Sequence, residues 1–92
     1  MTEAQFRATH EAAGHTVERW SNGPHAVYAL HEHPYEKQLL VISGGITFTL
    51  QGTHRLVRAL KPGDELAVPP ATPHSARVGP QGVACIEAHV GV

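Results

Sequence analysis

At 92 residues, with 41% apolar and 16% charged residues, the chain is long enough for one hydrophobic core and lies outside the apolar-poor, charge-rich range of disordered segments. A formal net charge of −1, with lysines and arginines scattered along the chain, excludes the basic stripe that nucleic-acid binding needs. No apolar run approaches the roughly 20 residues of a membrane helix.

These features predict a single domain over residues 1–92, with no nucleic-acid or membrane partner and a cytoplasmic location. The single cysteine, Cys85, excludes an internal disulfide and fits a reducing compartment; it reads as a small apolar strand residue. Histidine is the outlier in composition, with 8 residues that are not run together, and that excess directs attention to metal-ligand spacing.

In chain order, Thr2-Glu3-Ala4-Gln5 has the form of a capping box, and few β-branched residues follow before Gly14. A helix over about 2–13 is expected, with His10 and His15 at the surface because five residues and a glycine separate them. From Thr16 onward, short segments rich in Val, Leu, Ile and Thr alternate with turn residues about every ten positions. This pattern predicts antiparallel strands near 16–20, 26–33, 37–43, 45–50, 54–60, 65–68, 74–78 and 83–90, forming a barrel over about 16–90. Turns are expected at Ser43-Gly44-Gly45 and at Gly79-Pro80-Gln81-Gly82. Leu39, Leu40, Val41 and Ile42 are apolar on both strand faces, which calls for an outer layer from the helix or from a second subunit, and a homodimer is expected.

His31 and His33 are two apart on an expected strand, so their side chains leave the same face and their imidazoles can converge. The run His31-Glu32-His33-Pro34-Tyr35-Glu36-Lys37-Gln38-Leu39-Leu40-Val41-Ile42-Ser43-Gly44 resembles the first motif of the cupin superfamily, in which HxH is followed by an acidic ligand and then a glycine. The run Gly63-Asp64-Glu65-Leu66-Ala67-Val68-Pro69-Pro70-Ala71-Thr72-Pro73-His74 resembles the second, in which a PGD turn opens a strand and a histidine returns to the metal. The resemblance spans about Glu18 to Val90. It implies an all-β, antiparallel jelly-roll barrel behind a short N-terminal helix, frequently a homodimer, with a divalent metal held by His31, His33 and His74 in the barrel mouth.

The sequence departs from that pattern in three places. Ala71 replaces the usual glycine and Val78 the usual asparagine of the second motif. At the acidic-ligand position stands Lys37 if Gly44 is the motif glycine, or Gln38, a neutral oxygen donor, if Gly45 is. Strand parity favours Lys37 inside with His31 and His33, whereas Gln38 would need a bulge to join them. With no carboxylate among the ligands, zinc or nickel is favoured over iron or manganese. Lys37 and Tyr35 are candidates for binding a small molecule at the mouth. Glu87 could pair with Lys37 or bind metal, although alternation with Ala84, Ile86, Ala88 and Val90 puts Glu87 and His89 most simply on a solvent or subunit face.

Three functions remain open on these residues. One is a metal-binding barrel with a small-molecule pocket and metal-dependent oxygenase or isomerase chemistry. The others are a non-catalytic metabolite-binding or sensing module, and a barrel that has lost its metal.

Overall fold

The computed structural model describes residues 1–91. Helix α1 (Glu3–Ala12) is followed by strands β1 (Thr16–Asn22), β2 (Val27–His31), β3 (Glu36–Gln51), β4 (Arg55–Leu60), β5 (Glu65–Val68) and β6 (His74–Val90). All pairings are antiparallel.

The register divides the strands into two four-stranded halves. The first half of β3 pairs with β5 and with the second half of β6, which in turn pairs with β1. The second half of β3 pairs with β4 and with the first half of β6, which in turn pairs with β2. β3 and β6 therefore belong to both halves, and this is the double-sheet wrap of a jelly roll.

The expected turns at Gly44-Gly45 and Gly79–Gly82 are bends inside continuous strands, so eight expected strands are six. Gly44 (φ +73°) and Gly82 (φ +75°) adopt the left-handed conformation where paired β3 and β6 approach most closely, and bulges interrupt the register beside Gly44. A Cβ on Gly44 would lie 2.0 Å from the Gly82 carbonyl oxygen. Glycine is needed there to let the two backbones touch, not to reverse the chain.

Two apolar clusters result. The barrel interior holds Leu39, Val41, Ile46, Phe48, Leu50, Val68, Val78 and Cys85 among its buried residues. Outside the barrel, Phe6 of α1 packs on Leu40, Ile86 and Ala88, with Val17 and Ile42 partly buried against them. The helix thus supplies the outer layer that the two-faced strand required. Its capping box forms as expected, Gln5 N–H donating to the Thr2 hydroxyl and Thr2 N–H to the Gln5 side chain.

His10 and His15 are not both surface residues. The chain leaves the helix through a left-handed Gly14 (φ +80°), with His15 N–H donating to the His10 carbonyl and Gly14 N–H to that of Glu11. This Schellman turn folds His15 back over the last helical turn. His10 is buried against Phe6, and its Nδ1 lies 2.9 Å from Nδ1 of His15.

Candidate metal centre

His31, the last residue of β2, and His74, the first of β6, are direct cross-strand partners, with ring centroids 4.3 Å apart. His33 lies just beyond the strand, where β2 ends two residues earlier than expected. Its ring is 4.9 Å from that of His31 and 5.3 Å from that of His74. The Pro69-Pro70 segment separates β5 from β6, and Ala71 N–H donates to the His33 carbonyl at 2.7 Å, which ties the two histidine-bearing segments together. Ala71 itself is left-handed (φ +56°), the conformation glycine would take without strain. One ring nitrogen from each of the three histidines lies within 4.8 Å of one from each of the others.

The tautomers follow from the hydrogen bonds. His74 Nδ1–H donates to the Thr72 carbonyl at 2.9 Å, and His31 Nδ1–H to the Ala29 carbonyl at 2.6 Å, leaving Nε2 of each ring as a lone-pair donor. His74 Nε2 is buried and has no hydrogen-bond partner among the described residues. Burial lowers the basicity of His33, and the neighbouring imidazoles and Lys37 push the same way. Burial is also the main cause for His74, opposed by the Thr72 bond. Both rings are therefore neutral at pH 7, the state in which an imidazole ligates metal.

His31 and His33 open on a cavity of about 380 Å³ whose walls also include Trp20, Tyr28, Tyr35, Lys37, Phe48 and Glu87. Lys37 points inward, as strand parity requires, with its Nζ 3.4 Å from Glu87 Oε1 and above the rings of Trp20 and Phe48. Gln38 is not brought to the histidines. It stands on the opposite face of β3, in register with Ala67 and Ala88, and its amide donates to Glu36 at 2.5 Å. No bulge falls between His33 and Gln38 to turn it inward; the bulges of β3 come after Val41.

Glu87 and His89 do not face solvent or a subunit. Helix α1 covers the Ile86 and Ala88 side of β6, so the alternate set projects into the barrel, and Glu87 is buried. Its Oε1 accepts from Trp20 Nε1 as well as facing Lys37, and its Oε2 accepts from His89 Nε2 at 2.6 Å. With both oxygens engaged, Glu87 is committed to these partners, even though Glu18, Glu87 and His89 also bring ligand atoms within 4.8 Å of one another. Tyr35 stacks between His33 (4.9 Å, 11°) and His89 (4.4 Å, 29°). Trp20 is not singled out by the sequence as a site residue, and His89 is read from it only as a residue of the solvent or subunit face. The signal available was Glu87-x-His89, which repeats the spacing of His31-x-His33 on a strand with two apolar-covered faces.

Cys85 is buried in the core, and burial pushes its thiol up to about 12, which makes it inert at neutral pH. Asp64 is a turn residue, its carboxylate accepting from Lys61 N–H at 2.9 Å. No helix among the described residues is long and apolar enough to cross a membrane.

The molecule is thus an antiparallel double-sheet barrel with three converging histidines and a buried Lys–Glu pair in its mouth. It has the cupin fold. Bacillus subtilis oxalate decarboxylase superposes with a TM-score of 0.76 at 18% identity, over 86% of this chain and 22% of that one. The Drosophila melanogaster CENP-C cupin domain superposes with a TM-score of 0.73 at 13% identity, over 79% of this chain and 59% of that one. The chain therefore spans about a fifth of the first neighbour's length and about three fifths of the second's. No protein-family model matches the chain, and no curated protein matches it in sequence.

Proposed function

We propose that the barrel holds one divalent metal on His31, His33 and His74 and binds a small anionic molecule between that ion and Lys37. The observation that carries this reading is His74 Nε2, a buried lone pair with no partner, on a ring whose other nitrogen is pinned to a backbone carbonyl. A buried polar atom left unpaired is costly, and a metal bond satisfies it. Oxalate decarboxylase, described with Mn(II) centres, is a neighbour consistent with a metal in this fold. In this chain the three imidazoles carry no carboxylate beside them, which favours zinc or nickel over iron or manganese. The metal would supply Lewis acidity at its open positions. Lys37, neutralised by Glu87 on one side, keeps further N–H donors for the anion.

The test is metal analysis of protein purified without a tag, followed by titration of the metal-free form with zinc and nickel. One equivalent per chain is expected in the wild type and none in His74→Ala. Unchanged metal content in that variant overturns the assignment.

A second reading, a barrel without metal that serves association, has one observation in its favour. The Drosophila CENP-C neighbour is described bound to CAL1, and this chain exposes Val27 and Leu30 on β2 and Leu56 and Val57 on β4. The same residues support a homodimer, read out by sedimentation equilibrium. Stoichiometric metal decides against the metal-free reading.

A further inference from the structure

We infer that His89, oriented by Glu87, is the proton acceptor of the pocket, and that the ligand is a small carboxylate that also carries a hydroxyl. Glu87 is held as a fixed carboxylate by Trp20 Nε1–H and the Lys37 ammonium, and its second oxygen accepts from His89 Nε2 at 2.6 Å. That bond sets the proton on Nε2 and leaves the lone pair of His89 on Nδ1. Nδ1 has no partner among the described residues, it is not among the buried unpaired atoms, and His89 lines the cavity. Tyr35 covers one ring face and stops the imidazole from turning. A base held by hydrogen bonding to a third group, on a ring that lines the cavity and has a second nitrogen free, has the arrangement of a general base.

The two ends of the pocket then differ in chemistry. The three-histidine end and Lys37 take negative charge, and His89 takes a proton. A hydroxyl donates its hydrogen to Nδ1; in full transfer the O–H bond breaks, its electron pair stays on oxygen, and an N–H bond forms beside the balancing Glu87 carboxylate. Because the ring of Tyr35 intervenes between His33 and His89, the hydroxyl must stand away from the carboxylate rather than next to it.

The carboxylate half of this ligand rests on the proposed metal site, whereas the state of His89 does not, and two measurements separate them. The first is the His89 tautomer in metal-free protein, read from ¹⁵N shifts of the imidazole, where Nε2–H is expected. An Nδ1–H tautomer overturns the inference whatever the metal does. The second is the affinity of zinc-loaded protein for the series glycolate, 3-hydroxypropionate and 4-hydroxybutyrate, each against its deoxy partner acetate, propionate or butyrate. One of the longer hydroxy acids is expected to bind about fivefold more tightly than its partner, the effect of one hydrogen bond. His89→Phe, which keeps the stack, and His89→Gln, which keeps the donor to Glu87, should both bring the affinity of the hydroxy acid down to that of its deoxy partner, the two compared within each variant. A preference that survives in both variants, or its absence from the wild type, overturns the assignment of His89. Failure of zinc to bind at all overturns the proposed function and leaves the tautomer to decide on His89.

Discussion

The Lys37–Glu87 pair gives the most direct energetic test of the pocket. The two side chains are 12% and 9% exposed with Nζ and Oε1 3.4 Å apart, so little water screens them. Replacing Lys37 by Met keeps the stem and removes the charge, which strands a buried carboxylate. Removing one partner of a buried ion pair costs about 3–5 kcal/mol. The lower end, about 3 kcal/mol, applies here because Trp20 and His89 continue to donate to Glu87. For a domain of this size that corresponds to a fall in Tm of about 12–24 °C. Adding Glu87→Gln removes the stranded charge but keeps an acceptor for the Trp20 indole, so the double variant should recover about 2 kcal/mol of the loss. Urea denaturation of the metal-free proteins at pH 7.5 measures all corners of the cycle. A loss below about 1 kcal/mol for the single variant, or a double variant less stable than the single, would refute the view that these groups neutralise each other in a buried site.

Acid should destabilise the metal-free protein. His10, His33 and His74 all have basicity lowered below the ordinary 6.5, chiefly by burial, so the unfolded chain binds more protons than the native one as pH falls below 6.5. Their contribution is whole above about pH 7.5 and is lost as pH falls below 6.5; unfolding free energies that rise on that acidification would contradict it. Phe6→Ala, which removes the centre of the outer cluster, should cost about 3–4 kcal/mol in the same urea assay, and a loss under 1 kcal/mol would mean that α1 does not cover the sheet. Gly44→Ala should yield no folded protein by circular dichroism, because its Cβ would sit 2.0 Å from the Gly82 oxygen. Ala71→Gly should instead raise stability by up to ~1 kcal/mol through relief of a left-handed alanine, and a loss of stability would show the turn to be unstrained.

Much of this molecule is written in local chemistry. The capping box at Thr2 and the PGD turn at Pro62-Gly63-Asp64 depend on residues close in sequence, and they form where they are read. The three histidines also come together, because His31 and His74 end and begin paired strands at one rim of the barrel. What is not legible depends on contacts far apart in sequence. Gly44 and Gly82 look like turn residues until the pairing of β3 with β6 brings their backbones together, and only then is the left-handed glycine a point of close approach rather than a reversal. The face of Glu87 depends on α1, more than 70 residues earlier, covering the other side of β6; without that helix, alternation favours the wrong assignment. His10 and His15 meet through the Gly14 turn, which a helical-spacing rule cannot see.

The pocket also accounts for a lysine where a carboxylate ligand is expected of the fold. A cation beside a divalent ion is repelled, and the repulsion is severe where water is excluded. Lys37 is tolerable because a carboxylate has been placed on the adjacent strand: Lys37 lies opposite His89 in register and Leu39 opposite Glu87, so the ammonium and the Glu87 carboxylate are diagonal neighbours across β3 and β6. The buried acidic group of this pocket stands on the far wall, where it faces Lys37 and accepts from His89. Three neutral imidazoles then leave the full charge of a bound divalent ion for the ligand to compensate. If the pocket holds the proposed ion, that balance should favour anions, and the preference should fall when charge is restored to the wall. In the variant Phe48→Glu a new carboxylate would sit within reach of Lys37, whose Nζ is 5.8 Å from the Phe48 ring centroid, and compete with the ligand for its free donors. Acetate affinity of the zinc-loaded variant should drop about tenfold, the effect of losing a charge-assisted hydrogen bond. Retention of wild-type affinity with zinc still bound would show that Lys37 does not face the anion.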